Sequence, residues 1–331
     1  MAAPLNIVFF GSDPIALPLL EWLAGEGASV GRVPAVFTQP DRPVGRGQKI
    51  TANGIKTWAL ARGLPVYQPE KLTEDVRLQL AAMSADVGLI MAYGHILKQA
   101  FIDTPRLGTL NLHTSLLPKY RGASPIQTAV ANGERETGVS LMRIVKQLDA
   151  GPVADTERVA IGAHDTAMEI EAKLSAACVP LLARALPKLA TRELMFTEQD
   201  HAAATFCRKL VKEDGVLNFD EPAAVLAARI NGLFPWPACS VEIAGQFVKI
   251  GLADVMSVPE QSNPIGYFAA GQVRGADGTG LMVATGDGVL RLLKLQRPGG
   301  KMLGAGEFLR GFPVAAGTLL ASKPMPTLIV K

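Results

Sequence analysis

Residues 5–20, "LNIVFFGSDPIALPLL", open on a near-continuous apolar run from Leu5 to Phe10, interrupted only by Asn6 and rich in β-branched and aromatic side chains. Gly11 closes the run, and a helix-like segment follows from Pro14 to about Gly25. A strand whose apolar residues are consecutive, not alternate, is covered on both faces, as the strands of parallel sheets are. "VPAVFT" (33–38), "DVGLIMA" (86–92) and "GTLNLH" (108–113) repeat the pattern, separated by helix-like stretches near 53–62, 72–83 and 95–101. The first half is therefore expected to be a Rossmann-like, doubly wound, mostly parallel α/β domain.

The turn after the first strand reads "FGSDPIA". It is not G-x-G-x-x-G, and no G-x-x-x-x-G-K-[ST] follows anywhere, so neither a dinucleotide fingerprint nor a P-loop is present. The informative strand end lies at "TLNLHTSLLPKYRGASPI" (109–126). Side chains two apart in a strand share a face, so Asn111 and His113 are presented together where open α/β sheets hold their ligands. Taken alone, the pair also fits a hydrogen-bonded loop anchor. A general acid or base works best when a third group orients it, and Asp149 in "QLDAGPV" is the candidate, although an Asp before Ala-Gly is equally a turn residue.

Beyond Glu136 the pattern changes: "TGVSLMRI" (137–144) reads as a strand, 145–153 as a loop and 166–189 as one amphipathic helix. The polar stretch 191–215 reads as a linker, placing a division near residue 205, with a catalytic domain over 1–205 and a smaller domain over 206–331. In the latter, "SVEIAGQFVKIG" (240–251) and "GLMVATGDGVLRLLKLQ" (280–296) read as hairpins turning at Ala-Gly and at Gly286-Asp287-Gly288. One helical stretch (221–233) and several short strands with Gly turns predict a small OB-like barrel.

With 331 residues, 48% apolar and 19% charged, the chain is long enough to bury sizeable cores and is outside the disordered class. Cys178, Cys207 and Cys239 are far apart and odd in number, and the four histidines have no ligand spacing, so neither a disulfide framework nor a metal site is expected. The N-terminus has no basic segment and its apolar run is broken by Gly11, Asp13, Pro14 and Pro18, which predicts a cytoplasmic chain without a membrane span. Lys and Arg balance Asp and Glu at 20 each through residue 206. After it they number 13 against 10, so the net charge of +3 lies in the last part.

Read together, "NLHTSLLPKYRGASPI" (111–126), "TQPDRPVGRGQK" (38–49), "AYGHIL" (92–97), "LDAG" (148–151) and "FPWP" (234–237) resemble the methionyl-tRNA formyltransferase family, in order over nearly the whole chain. Asn-x-His-x-Ser-Leu-Leu-Pro with a later Leu-Asp-x-Gly is specific for formyltransferases that use 10-formyltetrahydrofolate. The resemblance implies that Asn111, His113 and Asp149 form the catalytic triad, and that Ser115, Leu116, Leu117 and Pro118 make the loop contacting the folate. It further implies that Tyr93 and Gly94 flank the pterin pocket. Arg42, Arg46 and Lys49 fall in an insertion that would reach the tRNA acceptor end, and Lys209 would add a phosphate contact at the entrance of the barrel. Thr114, where Gly or Ala is expected, and Phe234, where Asn is common, depart from the pattern without touching the triad.

The chemistry agrees with these implied roles. Attack of a neutral amine on an N-formyl carbon makes a tetrahedral oxyanion, which an Asn amide and a protonated His stabilise as donors, with Asp149 orienting the His and no metal required. The expected partners are initiator methionyl-tRNA and the folate co-substrate, and the expected state is a monomer. Two other readings share some of these features. A sugar-nucleotide or small-amine formyltransferase would keep the triad but has no use for the 38–49 insertion, and an inactive RNA-binding protein would need neither the triad nor "SLLP". As composition alone, "TQPDRPVGRGQKI" reads as a flexible, Gly- and Pro-rich surface loop.

Overall fold

The computed structural model describes residues 3–45, 47–256 and 268–330. In chain order the first part runs β1 (Leu5–Gly11), α1 (Leu17–Ala24), β2 (Gly31–Phe37), β3 (Arg42–Val44), β4 (Lys49–Thr51), α2 (Gly54–Leu60), β5 (Val66–Tyr67), α3 (Glu74–Ala82), β6 (Val87–Met91), α4 (Gln99–Ile102) and β7 (Thr109–His113). There follow β8 (Arg121–Gly122), α5 (Pro125–Ala131), β9 (Glu136–Arg143), β10 (Val153–Ala160) and the long helix α6 (Ala167–Ala190). Seven strands form one sheet in the order β10-β9-β7-β6-β1-β2-β5. Its five strands from β7 to β5 run parallel, and β9 pairs antiparallel with β7. The doubly wound expectation holds.

The continuous apolar strands lie where that pattern requires, since β1 and β6 are buried along almost their whole length. Phe10 on β1 stacks on Phe37 of β2 at 4.8 Å, and Phe37 on Tyr67 of β5 at 4.8 Å, an aromatic ladder across three neighbouring strands. Full burial of each Phe contributes on the order of 1.5–3 kcal/mol before packing terms. Along α6, Leu174, Cys178, Leu181, Leu182, Ala185, Leu186 and Leu189 are buried at helical spacing. That face meets the sheet where Cys178 Sγ lies 3.9 Å from Met91 Sδ. Burial pushes the Cys178 thiol up to about 12.

The chain forms two compact units. The first comprises residues 1–121, 138–159 and 171–204, and the second comprises 122–137, 160–170 and 205–331. Two stretches that the sequence reading leaves with the first domain thus pack into the second. The cause is visible for α5, which lies against α7 (Ala223–Leu233) so closely that a Cβ on Gly232 would stand 2.2 Å from Ala131 N. Only glycine permits that approach.

The second unit continues with β11 (Phe206–Cys207), α7, β12 (Cys239–Ile243), β13 (Gln246–Val255), β14 (Val273–Ala276), β15 (Leu281–Ala284), β16 (Val289–Gln296), β17 (Leu303–Gly304), α8 (Ala305–Gly311) and β18 (Ile329–Val330). An antiparallel sheet runs β12-β13-β16-β15-β14, with β17 on β16, and both expected hairpins are formed. Strand β12 alternates buried and exposed residues, as a sheet covered on one face must. Leu226 and Ile230 of α7 join Val248, Ile250, Leu290, Leu292 and Leu295 in one core. Buried inside it, Asn231 donates to Ala253 O and accepts from Ala253 N, both at 2.9 Å, pairing the backbone where the β13 register slips. This is the OB-like half-barrel expected from the hairpins.

Candidate active site

Strand β7 is the third parallel strand out from β2, next to β6, and it ends in Asn111 and His113. Asn111 lies between Ile90 of β6 and Met142 of β9 in register, and His113 pairs with Ser140. The Asn111 side chain is half-buried and makes no hydrogen bond to any of the described residues. His113 is buried. Its Nε2 donates to the carbonyl oxygen of Tyr120 at 2.9 Å, and its Nδ1 faces Asp149 Oδ2 at 3.6 Å. One side of the imidazole therefore meets a carbonyl and the other a carboxylate, and an imidazolium, with N–H on both sides, satisfies both.

Asp149 is reached because residues 144–150 turn sharply between β9 and β10. Its backbone is left-handed at φ 49°, a conformation that Asp tolerates better than most residues. Gly151 closes the turn, where a Cβ would stand 2.0 Å from the Arg143 carbonyl oxygen. That explains "LDAG" physically. The aspartate needs a backbone that swings its side chain inward, and the glycine lets the chain pass its own strand.

The loop after His113 is held from within. Ser115 is fully buried, its hydroxyl donates to Lys119 O at 2.6 Å, and its carbonyl accepts from Ser140 Oγ at 2.7 Å. Leu117 N donates to the same Ser140 Oγ at 3.1 Å. The Ser115 hydroxyl thus braces the loop's own backbone, while Leu116, Leu117 and Pro118 remain half-buried. The Tyr93 ring is packed in the core against Phe10 and His95, and burial pushes its hydroxyl well above the ordinary phenol range. Only its backbone stands at the strand ends, where Tyr93 O accepts from Gln39 Nε2 at 3.1 Å and Ser12 Oγ at 3.4 Å. Gly94 follows it, exposed and left-handed at φ 82°.

Several residues here were not singled out from sequence. Ser12 accepts from Gln39 N at 2.9 Å, tying the carboxyl ends of β1 and β2 together beside Tyr93. Polar residues at the end of "FFGS" and "FTQ" carry the same signal that marked Asn111 and His113. Arg121 and Gln199 had no such signal. Arg121 is buried, and burial pulls its guanidinium below the ordinary value against the pull of the Asp149 carboxylate.

On either side of residue 46, the 38–49 segment has regular structure that its composition does not predict. Strands β3 and β4 pair as a hairpin, Arg42 opposite Thr51 and Val44 opposite Lys49. Its stem is anchored at Asp41, which accepts from Lys56 Nζ at 2.7 Å and Gln68 Nε2 at 2.8 Å. The hydrogen bonds from Gln68 and then Lys56 hold its carboxyl below the usual range. Arg42 is exposed and pairs with Glu70 at 3.0 Å, and Lys49 is exposed. Arg46 lies outside the described residues. In the second unit Lys209 is exposed, whereas its neighbour Arg208 is bound to the buried Asp214.

The chain matches the "Formyl transferase" family model over residues 5–186 and "Formyl transferase, C-terminal domain" over 209–313. The two matches define the class, a formyl transferase with a separate C-terminal domain. Methionyl-tRNA formyltransferase of Aromatoleum aromaticum is 39% identical over 96% of this chain and 97% of its own length. That of Ectopseudomonas mendocina is 40% identical over 92% and 93%. The chain belongs to the methionyl-tRNA formyltransferase family. Its fold is also that of the N-formyltransferase from Helicobacter canadensis, solved with folinic acid and dTDP-3-aminofucose, at a TM-score of 0.63 and 18% identity over 88% of this chain and 99% of that one.

Proposed function

We propose that this protein transfers the formyl group of 10-formyltetrahydrofolate to the amino group of methionine on initiator tRNA. The observation that carries the reading is the carboxyl end of β7, where an amide without a partner among the described residues, Asn111, stands two residues from a histidine paired to Asp149. The family membership supports the same reaction.

The reaction assigns each group a task. The methionyl ammonium releases one proton to become a nucleophile, with Asp149 as acceptor directly or through water. Its nitrogen bonds to the formyl carbon, the carbonyl oxygen becomes an oxyanion, and the Asn111 amide donates to it. His113 donates as well, exchanging the Tyr120 carbonyl for the oxyanion at Nε2. The bond from carbon to N10 of the folate then breaks, and N10 takes up the second proton from the attacking nitrogen, leaving tetrahydrofolate and formylmethionyl-tRNA. Ser115, Leu116, Leu117 and Pro118, with Tyr93 and Gly94, would flank the folate, and the β3–β4 hairpin with Arg42, Arg46 and Lys49 would hold the acceptor end by phosphate contacts, with Lys209 adding one from the barrel.

The protein acts on this reading as a monomer in the cytoplasm. Its three cysteines are free and buried, and no helix among the described residues is long and apolar enough to cross a membrane.

A single-turnover assay tests the reading with 10-formyltetrahydrofolate and, as acceptors, methionyl initiator tRNA, methionyl elongator tRNA, free methionine and a nucleotide-linked amino sugar. Rapid formylation of the initiator species alone is expected. Formylation of the amino sugar in its place would overturn the assignment of the acceptor.

A further inference from the structure

Gln199 stands in the polar stretch that reads as a linker, 50 residues beyond Asp149, yet it is only 8% exposed. Both ends of its amide are used. Its Oε1 accepts from Arg121 Nε at 3.1 Å and Nη2 at 2.6 Å, and its Nε2 donates to the carbonyl oxygens of Asp149 at 2.9 Å and Gly151 at 2.7 Å. Arg121 Nη2 also donates to His201 Nδ1 at 3.0 Å.

One amide thus joins two pieces of chain that grip His113 from opposite sides. Arg121 directly follows Tyr120, whose carbonyl holds His113 Nε2, and the Asp149–Gly151 turn presents the carboxylate that faces Nδ1. We infer that Gln199, through Arg121, is a positioning residue that fixes the spacing between Asp149 and His113. The inference rests on the proposed roles of that pair. No other side chain of this length offers an acceptor to a guanidinium and, from its far end, two N–H donors to two carbonyls. Without them the turn keeps its sequence but loses the tether on the peptide that carries Asp149, whose backbone already sits in a sparsely populated region.

Gln199→Glu separates the two ends. The carboxylate keeps the contact with Arg121 and strengthens it to an ion pair, but it sets an oxygen against the Asp149 and Gly151 carbonyls, which repel it. In formylation of methionyl initiator tRNA, Q199E should keep its melting temperature within a few degrees and its KM for tRNA within about twofold, while kcat falls about tenfold or more, as slight misplacement of a reacting group does. Because the loss acts through Asp149, adding Q199E to Asp149→Asn should slow the enzyme by no more than about twofold further, since residues acting as one unit are not additive. Gln199→Ala, measured in the same two backgrounds, keeps the test decisive where one variant fails to fold.

Normal turnover in both Gln199 variants, or the same fractional loss with and without D149N, would overturn the inference while leaving the proposed reaction intact. Full activity of D149N in a wild-type background would instead overturn the reading of the pair, and the role of Gln199 with it.

Discussion

His113 Nδ1 stands 3.6 Å from Asp149 Oδ2, although they lie 36 residues apart in the chain with β8, α5 and β9 between them. The His113 side chain is 7% exposed and that of Asp149 13%, so the pair stands where water screens charge less than at the open surface.

Replacing His113 by Ala should therefore remove an oriented donor and leave Asp149 facing a void. General acid and base groups of this kind contribute about 10²–10⁴-fold, and kcat is expected to fall within that range. Binding of tRNA, measured by filter retention at fixed salt, should change by less than about twofold, because the ring is buried and its nitrogens face Tyr120 O and Asp149 Oδ2. A variant as active as the parent would remove His113 from the reaction.

Asn111→Ala should separate ground-state from transition-state binding. The amide has no partner among the described residues, so the melting temperature should hardly move. One donor to a developing oxyanion is worth roughly 10²–10³ in kcat, and that loss with little change in the KM for folate is the expected result.

Arg42 offers a different signature. Its pair with Glu70 is exposed on both sides and contributes at most about 1 kcal/mol to stability, so Arg42→Ala should fold normally. If Arg42 meets a phosphate, the slope of log K against log salt for tRNA binding should fall by about one. An unchanged slope would return the hairpin cation to plain surface charge.

The second unit carries a test by pH. Asp254 accepts from Arg291 Nε at 2.8 Å and Nη2 at 2.7 Å and from His164 Nε2 at 2.9 Å, and the Arg291 bonds, with those from His164, hold its carboxyl below the usual range. A carboxyl depressed in the folded state adds stability that is full above its unfolded value near 3.9 and vanishes as pH falls through the folded one. Asp254→Asn should therefore melt lower than the parent at pH 7, and the gap should close below about pH 4. A gap independent of pH would mean that packing, not charge, sets the effect.

Much of this molecule was legible as sequence. The near-continuous apolar runs marked parallel strands, the Gly turns marked the barrel's hairpins, and the period-two rule placed Asn111 and His113 on one face of β7. These are local rules, and residues within a few positions decide them. The "TQPDRPVGRGQKI" segment misled because composition reports the freedom of a chain in isolation. It could not show that Lys56 and Gln68, from elsewhere, clamp Asp41 and let a hairpin form.

The sequence by itself determined which strands are buried on both faces and which strand ends in polar groups. Only the tertiary structure decided that Asp149 meets His113, that the Ser115 hydroxyl binds Lys119 O and the Tyr93 ring packs on Phe10, and that Gln199 ties Arg121 to the Asp149 turn. The reason is physical: the direction of a side chain along a strand follows from a repeat of two, but a contact between residues 36 or 50 apart depends on the packing of everything between them.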